Sequence, residues 1–235
     1  MVQFILKGGN LMGETSNING KKIVPIADLD TEEHNLVFKK TREENSNRYY
    51  DNSQSDKPRN NVKYFIDYIQ NSPGNAIDLG CGAGNDTVYL IKNNWNVLAI
   101  DREDVEKRIS DRLSKEELKK FKFQIQDFEN LQLEESNLIV SNYSLPFCNK
   151  EKFKEMWNKI KTSILPNGYF VGNFFGQNDD WYSTRPKMTF LTKEQVVDLF
   201  KEFEIIRFKE IEEDKLTGLG KMKHWHTFNV IAKRK

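Results

Sequence analysis

The residue types best suited to holding a small molecule lie together in one segment, Ala76-Ile77-Asp78-Leu79-Gly80-Cys81-Gly82-Ala83-Gly84-Asn85-Asp86-Thr87. A short, mostly apolar run leads into a glycine-rich turn, and a helical pattern follows. Gly80 and Gly82 allow the backbone to approach a ligand where a Cβ atom would collide, and Gly84 permits a close strand-to-helix crossing. The segment therefore predicts a ligand-binding turn; a purely structural turn is the alternative.

The carboxylate of Asp78 narrows the chemistry of this turn. A pyrophosphate docks on a helix N-terminus whose N–H donors are unopposed, and a carboxylate two residues before the first glycine would repel it. The same carboxylate suits an ammonium group. The spacing Gly-x-Gly-x-Gly also differs from the dinucleotide fingerprint Gly-x-Gly-x-x-Gly. We expect a ligand that carries an ammonium group, and a nicotinamide dehydrogenase is the weakest alternative.

A second carboxylate follows the next apolar run, Val97-Leu98-Ala99-Ile100. Asp101 comes 23 residues after Asp78, at the predicted carboxyl end of the neighbouring strand. A carboxylate about 20 residues past such glycines can accept both hydroxyls of a ribose. An Asp that caps the next helix is the alternative, and capping does not exclude a ribose contact. Asp101 therefore predicts a contact with a ribose.

Alternating elements must position these residues. From residue 61 onward, apolar runs alternate with helical patterns, which predicts a parallel sheet covered on both faces. The end of the chain differs, because the strand-like runs 203–212 and 227–233 are joined by residues 213–226 without a helical pattern, so an antiparallel hairpin is predicted. Residues 1–60 are predicted to be a partly irregular N-terminal extension and 61–235 the main domain. The predicted strands are 76–79, 97–100, 121–125, 138–141 and 169–175, and the predicted helices include 86–93, 104–120, 153–164 and 193–203.

The motif Asp-x-Gly-x-Gly-x-Gly at 78–84, followed by the acidic end of the second strand, resembles the class I S-adenosylmethionine-dependent methyltransferases over about residues 62–235. The resemblance implies an α/β, Rossmann-like three-layer sandwich with a seven-stranded, mostly parallel sheet that ends in an antiparallel hairpin. It implies S-adenosylmethionine as the cofactor, with its methionine part at the glycine turn, its ribose at Asp101 and its adenine at Asp127 and Phe128. The cofactor-binding residues so implied are Asp78, Gly80, Cys81, Gly82, Gly84, Asp101, Arg102, Asp127, Phe128 and Asn142.

The segment Ser141–Phe147 takes the position of the family's fourth motif, next to the transferable methyl group. Members that methylate amino groups in nucleic acids carry Asp/Asn-Pro-Pro-Tyr/Phe there, whereas Asn142-Tyr143-Ser144-Leu145 has no proline. A formal charge of +1 also lacks the basic excess of a nucleic-acid-binding protein. Both features favour a small-molecule acceptor. The last third of the chain resembles tellurite-resistance-type and related small-molecule methyltransferases.

Candidate acceptor residues are predicted from their place after the fourth and fifth strands: Tyr143, Trp181, Tyr182 and Arg185. His224 and His226 would lie on one face of a strand and are candidates for a general base. Packing within the hairpin is the alternative for both histidines, and no metal site is expected because a third ligand is missing. Arg48-Tyr49-Tyr50 is a candidate lid over the cofactor.

The sequence thus predicts a methyltransferase that transfers a methyl group from S-adenosylmethionine to a small molecule by in-line displacement. A nucleic-acid or protein methyltransferase is one alternative, and a binding module without an acceptor site is another. The chain has only Cys81 and Cys148 and no apolar run near the ~20 residues that a membrane helix needs. A soluble, cytoplasmic protein is therefore expected, with neither a membrane nor a nucleic acid as partner.

Overall fold

The computed structural model describes residues 4–7, 17–18, 21–25, 31–54, 57–68 and 72–235, with backbone only before residue 40. The chain divides into two units, Met1–Arg48 and Tyr49–Lys235. This boundary lies earlier than the expected division at residue 60, because Tyr50 is packed in a buried cluster of the second unit.

The first unit holds a small antiparallel sheet of β1 (Phe4–Lys7), β2 (Asn17–Ile18) and β3 (Lys21–Pro25), in the order β1-β3-β2. Helix α1 (Thr31–Ser53) follows and ends in the second unit.

The second unit is built on a mixed sheet whose strands run in the order β10-β11-β8-β7-β4-β5-β6, with the short β9 beside β8. Neighbouring strands in the part β8-β7-β4-β5-β6 pair in parallel. Strand β11, in contrast, is antiparallel to both β8 and β10. The predicted seven-stranded, mostly parallel sheet with a terminal hairpin is confirmed. The strands are β4 (Asn75–Leu79), β5 (Asn96–Asp101), β6 (Phe121–Ile125), β7 (Ser136–Ser141), β8 (Ile164–Gly176), β9 (Phe190–Leu191), β10 (Phe203–Leu216) and β11 (Met222–Arg234).

Helices cover both faces of this sheet, because alternate residues of each strand enter different cores. Phe170 and Phe174 of β8 pack with Trp157 and Phe200 on one face, while Tyr169 packs against Phe65 on the other. No helix among the described residues is long and apolar enough to cross a membrane. The helices are α2 (Asn60–Tyr68), α3 (Asn85–Lys92), α4 (Glu106–Ser110), α5 (Lys115–Leu118), α6 (Phe153–Ser163), α7 (Trp181–Thr184) and α8 (Lys193–Leu199).

Four predicted spans differ clearly from the structure, and one of them is the strand predicted for 169–175, because β8 begins at Ile164. The stretch 104–120 forms two short helices instead of one, because Ser114 caps a new helix with Glu117 in a reciprocal capping box. The helix predicted for 193–203 ends at Leu199. The hairpin loop predicted for 213–226 is wrong, since both strands continue to Leu216 and Met222. The residues at the tip of the hairpin are mostly polar on both strands. The sequence there lacks the alternation of apolar and polar residues that indicates a strand.

Candidate cofactor and acceptor site

The predicted cofactor residues meet at one edge of the sheet. Asp78 and Asp101 lie at or near the carboxyl ends of β4 and β5, and Asp127 and Asn142 follow β6 and β7. These four strands are neighbours in the order β7-β4-β5-β6. Ligands of open α/β sheets bind in the crevice outside these carboxyl ends, so the topology brings the four polar groups to the expected place.

The glycine turn has its three glycines in the left-handed region, with φ angles of 69°, 55° and 73° at Gly80, Gly82 and Gly84. A Cβ atom on Gly80 would lie 2.3 Å from Ser144 Cβ, and one on Gly84 would lie 2.3 Å from Ile109 Cγ1. A Cβ atom on Gly82 would meet only the ring of Tyr50, at 3.5 Å. Gly80 and Gly84 are therefore required for packing, the latter against α4, and Gly82 faces the candidate site.

Asp78 is buried beneath the turn with 2% of its surface exposed. Thr87 Oγ1, on the first turns of α3, donates a hydrogen bond of 2.6 Å to Asp78 Oδ2. Burial, with a contribution from the nearby Asp86 carboxylate, raises the pKa of Asp78 to about 8. Among the described residues Asp78 has no cationic partner, and a buried acid of this kind is suited to receive one from a ligand.

Asp101 is 7% exposed and turned toward the glycine turn. Its Oδ2 accepts the Gly82 N–H at 2.8 Å, and its Oδ1 accepts the Glu103 N–H at 3.1 Å. The hydroxyl of Tyr50 donates to the same Oδ1 at 3.2 Å. The carboxylate is thus held in place at the end of β5.

Asn142 links three elements through side-chain hydrogen bonds. Its Nδ2 donates to Asp86 Oδ2 at 2.8 Å, and its Oδ1 accepts Asn61 Nδ2 at 2.7 Å. Asp86 Oδ1 also accepts the Arg59 N–H at 2.7 Å, while burial raises the pKa of Asp86. Sequence reasoning missed Asp86 and Asn61. The acid in the first turn of α3 was a visible signal, whereas Asn61 carried none.

The other predicted cofactor residues are arranged less tightly. Phe128 is half-buried, with its Cζ 3.7 Å from the point where a Gly80 side chain would begin. Asp127 is exposed, and its Oδ1 accepts both nitrogens of Asn130. Arg102 is exposed beside Glu103. Burial raises the pKa of the Cys81 thiol, which argues against a reactive thiolate. Among Phe128, Asp127 and Arg102, which lie outside the turn, Phe128 is the residue that packs against it.

Four aromatic rings form a cluster next to Asn142, here called the aromatic cluster: Tyr143, Phe175, Trp181 and Trp225. The Trp225 ring centroid lies 5.6 Å from that of Tyr143, 5.6 Å from that of Phe175 and 5.5 Å from that of Trp181. Tyr143 has a φ of 54°, and its N–H donates to Asn173 Oδ1 at 2.8 Å. The hydrogen bond to Asn173 holds Tyr143 in this left-handed conformation at the cluster.

Two further acceptor candidates lie at the rim of the aromatic cluster. The Arg185 guanidinium stacks on Trp181 at 4.2 Å from its ring centroid. Tyr182 is 50% exposed and packs edge-on against Phe190. The structure therefore brings Tyr143, Trp181 and Arg185 together and leaves Tyr182 at the outer side.

A buried lysine lies inside the aromatic cluster. Lys223 is 3% exposed, and its Nζ is 3.8 Å from the Trp225 centroid and 4.5 Å from that of Trp181. The ammonium donates to Asp179 Oδ2 at 2.5 Å, and burial lowers the pKa of Lys223. Sequence reasoning missed this pair, because a lysine in a polar hairpin is usually exposed.

Both predicted base candidates have partners on each ring nitrogen. His226 Nδ1 accepts the Asn178 N–H at 3.2 Å, so its Nε2–H donates to Glu210 Oε1 at 3.1 Å. His224 contacts Asp214 and Glu212, and these two carboxylates raise its pKa. The base role stays a prediction, and these contacts favour a role in joining β10 to β11.

The strand order and the polar groups at its carboxyl edge define the fold of the S-adenosylmethionine-dependent methyltransferases. Within this class, the family model of the tellurite resistance protein TehB matches residues 41–219. Because the match covers most of the chain, the chain belongs to the TehB family, and the resemblance inferred from the motifs is confirmed. A comparison with curated proteins found no match.

Solved structures of similar fold include TehB from Haemophilus influenzae, with a TM-score of 0.61 and 21% identity over 75% of this chain and 62% of that chain. This chain thus spans less than two thirds of that relative. An S-adenosylmethionine-dependent methyltransferase from Methanosarcina mazei aligns with a TM-score of 0.55 and 20% identity over 72% of this chain and 96% of that chain.

The N-methyltransferase NodS from Bradyrhizobium japonicum, solved with S-adenosyl-L-homocysteine, aligns with a TM-score of 0.55 and 14% identity over 77% of this chain and 89% of that chain. At such identities the likeness establishes the fold.

Proposed function

We propose that this chain catalyses methyl transfer from S-adenosylmethionine to a small-molecule acceptor. The observation that carries the proposal is the meeting of Asp78, Asp101 and Asn142 around the glycine turn, with the aromatic cluster directly beside Asn142. The chemistry on the two sides differs, since one is acidic and the other is aromatic. This division suits a charged cofactor next to a separate acceptor.

The residues at the turn fit the cofactor. Asp78 would hold its ammonium group, because a buried acid with a raised pKa gains from a cation beside it. Asp101 would hold the ribose, and Phe128 would lie against the adenine. When bound, S-adenosylmethionine supplies an electrophilic methyl group on a sulfonium. The part of the chain is then to orient the two reactants and to exclude water.

The side chains near the aromatic cluster favour an acceptor that is already a nucleophile, because none of the base candidates is well placed to remove a proton. Both ring nitrogens of His224 and of His226 are already hydrogen-bonded in the described part of the chain. Burial also raises the pKa of the Tyr143 hydroxyl, so that group is a poor base near neutral pH. Small thiolates and the oxyanions tellurite and selenite have a lone pair on sulfur, tellurium or selenium that can attack the methyl group, so the protein need remove no proton from them.

One observation favours a second candidate, a module that binds the cofactor without transferring its methyl group. Lys223 fills space among the rings of the aromatic cluster, so side chains of the protein itself occupy part of the presumed acceptor side. If the chain is an enzyme, its acceptor must bind beside Lys223. The two candidates differ in turnover and agree in cofactor binding.

The test is to incubate the purified chain with S-adenosylmethionine and to measure S-adenosylhomocysteine formed with tellurite, selenite and small thiols. We expect turnover with at least one of these acceptors and its loss in Asp101→Asn. Asp198→Asn, the same change at an exposed position on α8, is the matched variant and should have little effect. Cofactor binding without turnover on any of the three acceptor classes would favour the binding module.

A further inference from the structure

Tyr50, near the end of α1, reaches the carboxylate that we assign to the ribose. Its hydroxyl donates to Asp101 Oδ1 at 3.2 Å. Two ring atoms, Cε1 and Cδ1, lie 3.5 and 3.8 Å from the point where a Gly82 side chain would begin. The side chain is 6% exposed and packs with a buried cluster that includes Ala83 and Val88. Tyr50 therefore covers the open side of the glycine turn.

Asp101 has few acceptor positions left in this arrangement. A carboxylate offers about four lone-pair positions, two on each oxygen. The Glu103 N–H and the Tyr50 hydroxyl use both positions of Oδ1, and the Gly82 N–H uses one on Oδ2. Counting the donors in the described part of the chain, one position is left for the two hydroxyls of a ribose. A ribose held by both hydroxyls therefore requires one of the three present donors to withdraw.

The Tyr50 hydroxyl is the one of these three donors that can withdraw without moving the backbone, because the other two are backbone N–H groups. The Gly82 N–H is fixed by the turn, whose flanking residues are locked by packing against Ser144 and Ile109. The Glu103 N–H belongs to the backbone two residues after Asp101. A tyrosine hydroxyl, in contrast, moves with its side-chain rotamer.

We propose that Tyr50 sets the affinity of the cofactor site by occupying a ribose position on Asp101, and that cofactor binding displaces its hydroxyl. This inference rests on the proposed function, because it takes Asp101 as the ribose-binding group. The displaced side chain belongs to α1, so binding is coupled to the C-terminal end of that helix. The contact stabilises the free protein and therefore opposes the ligand.

The experiment is calorimetric titration of S-adenosylhomocysteine into the full chain and three variants. Tyr50→Phe keeps the ring and removes only the competing hydroxyl, so its Kd should fall about two- to tenfold, the effect of one hydrogen bond. Tyr89→Phe removes a half-buried hydroxyl on α3 outside the site and should leave Kd unchanged. Matching thermal unfolding of the variants checks that all are folded.

A ligand with one hydroxyl fewer makes the test specific. The 2′-deoxy form of S-adenosylhomocysteine needs only the position that is already free on Oδ2. The gain from Tyr50→Phe should therefore shrink toward none with this analogue. An equal gain with both ligands would overturn displacement from the ribose position.

Asp101→Asn separates the inference from the proposed function. If Asp101→Asn weakens binding while Tyr50→Phe binds equally or more weakly than the unchanged chain, the displacement is overturned and the proposed function stands. If the unchanged chain does not bind S-adenosylhomocysteine, or Asp101→Asn binds it as well, the proposed function fails and the displacement fails with it.

Discussion

Lys223 donates a hydrogen bond of 2.5 Å to Asp179, and the side chains of the two residues are 3% and 0% exposed. Asp179 also accepts the N–H groups of Trp181 and His226. One buried carboxylate thus joins β11 to the start of α7, which carry two rings of the aromatic cluster. A buried ion pair is costly to break on one side, because the remaining charge keeps its desolvation penalty.

Lys223→Met should lower the free energy of unfolding by about 3 kcal/mol, since it leaves the Asp179 carboxylate buried without its cation. Urea unfolding measures this loss. Lys215→Met is the matched control, because Lys215 pairs with Lys223 across the hairpin but its own ion pair is exposed. Equal effects of the two substitutions would contradict a stabilising role for the buried pair.

The raised pKa of Asp78 predicts that cofactor binding releases a proton. With a pKa of about 8, this carboxyl is mostly protonated in the free protein at pH 7. An ammonium beside it lowers the pKa, so the carboxyl ionises when the ligand binds. Calorimetry at pH 7 in two buffers of different ionisation enthalpy should therefore give different binding enthalpies.

The pH dependence of affinity follows with a definite sign. The Kd for S-adenosylhomocysteine should fall as the pH rises toward about 8, because less work is needed to ionise Asp78. Above that value the curve should level off. Asp78→Asn is the control, since it cannot ionise. A Kd that is independent of pH in the unchanged chain would exclude Asp78 as the ammonium partner.

The contacts of His224 are expected to make the stability of the hairpin depend on pH. Its contacts with Asp214 and Glu212 raise its pKa, so the stabilisation is fully present below the unfolded pKa of about 6.5 and is lost as the pH rises through the higher folded value. The difference in urea midpoint between the unchanged chain and His224→Gln should therefore be larger at pH 6 than at pH 9. A constant difference would mean that the imidazole is not charged in these contacts.

The histidine variants also test the predicted base. If His224 and His226 serve the hairpin, His224→Gln should keep its turnover on an identified acceptor at a temperature where it is folded. His226→Gln is expected to be less stable, because His226 is 6% exposed and bonded at both nitrogens. A specific loss of turnover, with unchanged cofactor affinity and stability, would restore the base role.

The strands of the sheet and its mostly parallel pairing could be predicted from the sequence, because local patterns mark both. Buried parallel strands such as β4 and β5 are short apolar runs. The three glycines after β4 mark the turn between this strand and the next helix. Because β4 and β5 are parallel, Asp78 and Asp101 near their carboxyl ends lie at the same end of the sheet. The hairpin was predicted as a pair, but its length was not, since Glu212 pairs with His226 and Asp214 with His224 through polar side chains.

The contacts of Tyr50, Asn61 and Lys223 could not be predicted from the sequence. Each depends on residues more than 40 positions away, namely Asp101, Asn142 and Asp179. No local periodicity records such contacts. Lysine is usually exposed, so the residue type of Lys223 predicts a surface position and not the buried one that is observed.

The most direct test of the central claim is calorimetric titration of the chain and of Asp101→Asn with S-adenosylhomocysteine and with NADH. The account predicts that S-adenosylhomocysteine binds, that NADH does not, and that Asp101→Asn weakens binding by about 1–3 kcal/mol, as expected for hydrogen bonds to a charged group. Binding of NADH alone, or undiminished binding of S-adenosylhomocysteine by Asp101→Asn, would contradict it.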